Sequence, residues 1–163
     1  MTDRIRSWQA LAALNTRLFR NCLAEIDQAR AVSRPADQVN SIAFVAVHLV
    51  EARHVIGTLV GGACPRPFGD RFDGVSHVDA VQDYPPLDEI LRAWEGLSAD
   101  LDELLSRAGD AALDRPATHD YRLPIADTTV NGSLAFMLQH ESYHIGQLAL
   151  LRKLAGLPAM RYD

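Results

Sequence analysis

From Leu87 to Ala108 the chain reads LDEILRAWEGLSADLDELLSRA, with apolar residues at Leu87, Ile90, Leu91, Trp94, Leu97, Leu101, Leu104 and Leu105. Steps of three and four residues keep those side chains on one face at about 3.6 residues per turn. The period specifies an amphipathic helix, and Gly109 follows as a plausible C-cap residue.

The same period recurs on either side. A first helix is expected from about Ile5 to Val32, with Leu11, Leu14, Leu18, Cys22 and Ile26 as its stripe, ended by the segment around Pro35. A second runs from near Val39 to Leu59 or Val60 and stops at Gly61-Gly62; a fourth runs from about Val130 to Ala155, before Gly156 and Pro158. Between the second and third lies Gly61 to Pro86, rich in Pro and Gly and without a sustained period. It is too long for a tight hairpin and is expected to cross over along the bundle. Asp110 to Thr129 is also irregular; an extended piece over Tyr121–Ile125 is opposed by Pro124. The expectation is one domain, residues 1–163, with an all-α four-helix-bundle fold.

Bulk properties narrow the function. A chain of 163 residues and 17.9 kDa can bury a real core. Its net charge of -5 argues against a nucleic-acid groove, and Arg17 and Arg20 are soon followed by Glu25 and Asp27, a solvated face. No secretory leader is visible after Met1, and the longest apolar run, Ile42 to Val50, is interrupted by His48, so neither export nor membrane insertion is expected. Cys22 and Cys64 make no disulfide framework; a small buried thiol and a loop thiol in a reducing cytoplasm are the expectation.

The chemistry concentrates in His140-Glu141-Ser142-Tyr143-His144. Histidines at i and i+4 project about 40° apart on a helix and can grip one metal ion. A zinc-protease reading fails for lack of a third ligand downstream. Only Asp163 is acidic after His144, and the positions where an extended motif needs Gly and His hold Gln147 and Leu150. The third ligand must then come from upstream. His48 shares its helical arc with Phe44, Val45, Ala52, Val55 and Leu59, and the His140/His144 arc carries Phe136, Met137, Gln147, Leu151 and Leu154. Buried neutral imidazoles need partners, and a divalent ion satisfies all three at once. His54 lies about 120° from His48 and is excluded from the site. His77 and His119 fall in loops, where His119-Asp120 is a candidate cover for the metal mouth.

These residues resemble the DinB-like (DinB/YfiT-like) metalloenzyme family. The likeness rests on His48 within His48-Leu49-Val50-Glu51-Ala52-Arg53, and on His140, His144, Gly146, Gln147 and Leu148 with Arg152 beyond. It implies an up-down-down-up bundle holding nickel, zinc or iron through His48, His140 and His144, and a homodimer. It also implies a low-molecular-weight thiol as cosubstrate, since characterised relatives include thiol-dependent S-transferases and isomerases. Ile145 departs from the pattern, where relatives often carry a polar or basic residue, and puts the outer electrostatics of the site in question.

Three histidines leave a coordination position open, the layout of a catalytic rather than a structural site. Glu141 is a candidate general base or orienting group, with a surface or interhelical salt bridge as the other reading. Gln147 is a candidate donor to a metal-bound ligand or a packing residue, and Tyr143 a further donor or a core residue. The expected function is metal-dependent S-transfer onto a small electrophile. Hydrolysis of a small substrate and non-catalytic metal binding are the alternatives. Dimerisation would use an apolar face left over on the first or third helix.

Overall fold

The computed structural model describes residues 2–163 apart from 65, 73, 76, 82 and 119–122. Six α-helices form and, among the described residues, no strand: α1 Asp3–Leu23, α2 Gln28–Val32, α3 Ile42–Val60, α4 Leu87–Arg107, α5 Asp110–Asp114 and α6 Val130–Leu154. The four long ones make the bundle.

Capping side chains set the boundaries. Thr2, Ser41 and Thr129 accept from backbone N–H groups one turn into α1, α3 and α6. Serine at position 41 moves the start of α3 past the expected Val39. Gly61 ends α3 with φ 109°, a left-handed conformation that suits a residue without Cβ.

Two expectations about helix ends are corrected. The helix expected over Ile5–Val32 is two helices, because Glu25 takes φ 64° and Asp27 caps a new N-terminus through Arg30 N (2.8 Å). An Asp side chain competing for the backbone outweighs apolar periodicity there. Gly109 does not cap α4; Ala108 does, and Gly109 stands at the N-cap of α5. The Tyr121–Ile125 piece falls partly outside the described residues. Beside it, Pro116 and Thr129 form an isolated antiparallel bridge.

Polar contacts fix the helix directions. Trp8 donates to Asn131 (3.1 Å) and Asn15 to the Leu138 carbonyl (3.2 Å), so α1 and α6 run parallel. Gln9 reaches Asp102 (2.9 Å) and Arg20 reaches Glu95 (3.3 Å), so α1 and α4 are antiparallel. Along α3, residues Ile42 to Val50 pack with Leu87 to Leu97 of α4 and with Ile145 to Leu151 of α6. Residues Ala52 to Val60 pack with Leu101 and Leu105, and with Val130 to Leu138. Thus α3 is parallel to α4 and antiparallel to α6, which is up-down-down-up. The connection 61–86 crosses over as expected, with two 3₁₀ turns that bury Phe72 and Val78.

By length and composition α3 resembles a membrane span, but 72% of its most apolar window is buried within the bundle. Its apolarity is accounted for by packing against α4 on one side and α6 on the other.

The core is divided. Between its two apolar clusters lies a polar layer built on Arg53, Glu141 and Asn15, each at most 1% exposed. Arg53 Nε and Nη2 donate to the two oxygens of Glu141 at 2.6 and 2.7 Å, and Nη1 donates to Thr16 and Ser98. Asn15 adds a bond to Glu141 Oε2 (3.1 Å), and the guanidinium lies 4.0 Å above the Trp94 ring. All four long helices meet in this layer.

Candidate metal centre

Helix α3 supplies His48, and α6 supplies His140 and His144 one turn apart. One nitrogen of each ring lies within 4.8 Å of the others, and His48 Nε2 is 2.9 Å from His140 Nε2. Ring centroids stand 4.4 to 5.1 Å apart, each pair edge to face. A turn before His48, Phe44 stacks parallel at 6.4 Å; a turn before His140, Phe136 does so at 6.2 Å.

Electrostatics favour the ligand form. Burial, followed by the neighbouring His144 and His140, pushes His48 down to about 4. Burial and His144 push His140 down to about 4. His144 is also lowered by burial, against the opposing effect of its bond to Gln147. All three are therefore neutral at pH 7, as metal ligation requires.

The residues fit a divalent ion. Around one ion with bonds of ~2.0–2.1 Å, tetrahedral imidazole nitrogens stand ~3.3 Å apart; the His48 and His140 nitrogens, at 2.9 Å, are already close to that spacing, and a His144 nitrogen lies within 4.8 Å of both. Gln147 Oε1 lies 2.8 Å from His144 Nδ1. A carbonyl oxygen accepts only, so Nδ1 carries the proton and the Nε2 lone pair is left for the metal. Among the described residues no carboxylate or thiol joins the three histidines.

Of the two readings of Glu141, the geometry supports the interhelical ion pair: both its oxygens face Arg53, away from the histidines. Gln147 is placed against the His144 ring rather than in packing across the bundle. Tyr143 is 58% exposed, its ring edge-on to His144 at 5.1 Å, so a core role is corrected. Ile145 is buried on the core side and its carbonyl faces the Cys22 thiol, so its apolarity does not alter the outer face of the site. His54 stays out of the group and His77 caps a surface turn. His119 and Asp120 lie outside the described residues.

A cavity of about 30 Å³ adjoins His48, lined by Phe44, Val47, Glu51, Phe72, Val75 and Tyr84. Tyr84 also lines a wider cavity of about 560 Å³ that carries Gln28, Arg34, Ser41, Asp79 and Asp83. Glu51 stands three residues after His48, which puts both on one helical face. It pairs with Arg66 at 3.0 Å. Arg53, like Glu51, enters the sequence reading only within the stretch that carries the resemblance, without a role of its own. Its signal was a charge in an apolar helix that needed a buried partner.

Residues 11–148 match the DinB superfamily model, and the chain belongs to that superfamily. The structure is similar to the crystal structure of a conserved protein of a locus from Enterococcus faecalis. The TM-score is 0.71 at 13% identity, covering 95% of this chain and 98% of that one. That likeness concerns the fold. No curated protein matches the chain in sequence.

Proposed function

We propose that this is a metal-dependent enzyme that transfers a low-molecular-weight thiol onto a small electrophile, with nickel, zinc or iron held by His48, His140 and His144. The observation that carries the reading is a group of three imidazoles with no carboxylate or thiol joining them among the described residues. Held this way, a divalent ion keeps its charge and an open position and lowers the pKa of a thiol or water placed there.

The chain's own residues suit a thiol brought from outside. Cys22 lies in the core with its thiol pushed up to about 12 by burial, and Cys64 sits beside Gly57 and Gly62; neither joins the histidines. Glu141 has both oxygens engaged, which leaves it poorly placed as a base. Phe44 and Phe136 place aromatic rings beside His48 and His140, and Gln147 holds the His144 tautomer.

Hydrolysis is the second reading, favoured by Glu51, a carboxylate lining the same small cavity as His48. A cytoplasmic location and a homodimer complete the proposal. Support for the dimer comes from Tyr143, Leu150 and Leu154, exposed apolar residues on α6 rather than on α1 or α4.

Elemental analysis of natively purified protein, followed by thiol titration of its cobalt(II) form, tests the proposal. Bound metal and a thiolate-to-metal charge-transfer band are expected. Metal binding with no response to any low-molecular-weight thiol would remove the transferase reading; no metal uptake at all would remove both.

A further inference from the structure

The geometry points to Arg53 and Glu141 as positioning residues for the metal centre: their buried ion pair sets the register of α3 against α6 that brings His48 to His140. This rests on the metal reading above.

Glu141 directly follows His140, and Arg53 lies five residues after His48 on the antiparallel helix. A one-residue step turns the helix by about 100°, so His140 takes the outer seam while Glu141 points to the bundle centre. The pair is bidentate, at 2.6 and 2.7 Å, and both side chains are fully buried. A planar fork meeting a planar carboxylate accepts little sliding, whereas apolar side chains across a seam tolerate it. Around the pair, every neighbouring helix adds a restraint. Thr16 and Ser98 accept from Arg53 Nη1 at 3.1 and 3.2 Å, and Asn15 donates to Glu141 at 3.1 Å. Ser142 in turn donates to Asn15 Oδ1 at 3.1 Å.

None of these hydrogen bonds goes to the three histidines, so the network would act on the metal through helix placement. A buried ion pair is weak as a source of net stability and better suited to fixing a register. Two hydrophobic clusters above and below already hold the bundle together.

The test separates stability from positioning. In the double variant Arg53→Met with Glu141→Leu, no buried charge is left uncompensated, and the bundle is expected to keep its helicity and melting temperature. Cobalt(II) titration is expected to show affinity roughly 10- to 100-fold weaker than in the unaltered protein, with altered d–d absorption bands. Arg53→Lys keeps the charge but loses the fork, and is expected to give a smaller loss in the same direction. Wild-type affinity and d–d bands in either folded variant would overturn the inference while leaving the metal reading intact. Failure of the unaltered protein to bind cobalt(II) would overturn both.

Discussion

Gln147 Oε1 sits 2.8 Å from His144 Nδ1, one turn along the same helix, and so decides which nitrogen of His144 carries its proton. Replacing Gln147 with Leu removes the acceptor and frees the ring to rotate and change tautomer. Metal affinity is expected to fall about 10- to 100-fold with the helix intact, while Gln147→Glu, still an acceptor at this position, retains most of it. Isothermal titration with zinc checks this; equal affinity for Gln147→Leu and the unaltered chain would reduce the contact to packing.

His48→Ala and His140→Ala are each expected to abolish stoichiometric metal binding without unfolding the bundle. Both rings are only half-buried, and the apolar clusters on which folding depends do not include them. The checks are metal content and far-ultraviolet circular dichroism. Retention of a full equivalent of metal by either variant would show that the three-histidine set is wrong.

How far the sequence revealed this site follows from what each residue interacts with. The long helices and the grouping of the three histidines were legible because period and i, i+4 spacing are local, and an inward histidine betrays itself by its apolar neighbours. Glu141 was ambiguous because helical angle gives a direction but not the partner waiting there; Arg53 is 88 positions away. Tyr143 lies on a face of α6 left exposed, which its position in the sequence does not reveal. The break at Glu25 was hidden beneath an apolar stripe that continues through Ile26 in phase.

Acid is expected to destabilise the metal-free protein. His48 and His140 titrate at about 4 in the folded chain, below the ordinary 6.5 of an unfolded histidine. Between those values the unfolded chain binds more protons than the folded one, so stability rises with pH. The contribution is fully present above 6.5 and is lost as pH falls through about 4. After discounting for the partial exposure of both rings it amounts to roughly 1–2 kcal/mol. Denaturant titrations of the metal-stripped protein and of a His48→Ala, His140→Ala variant check it. The difference between their stabilities should shrink toward acid, and a constant difference from pH 4 to 7 would contradict the assignment.

Breaking the Arg53–Glu141 pair from one side is expected to be far worse than replacing both partners. Arg53→Ala leaves the Glu141 carboxylate fully buried, with Asn15 as its remaining side-chain donor. Such an uncompensated charge costs about 3–5 kcal/mol, a large part of the stability of an ordinary domain. The arginine also covers Trp94 at 4.0 Å, so truncation opens a gap beneath the indole as well. Urea denaturation of Arg53→Ala and of Arg53→Ala with Glu141→Ala gives the comparison. The second substitution should recover part of the loss, since it removes the stranded charge. If the two changes simply add, the carboxylate was not stranded, and the polar layer stabilises the bundle by packing alone.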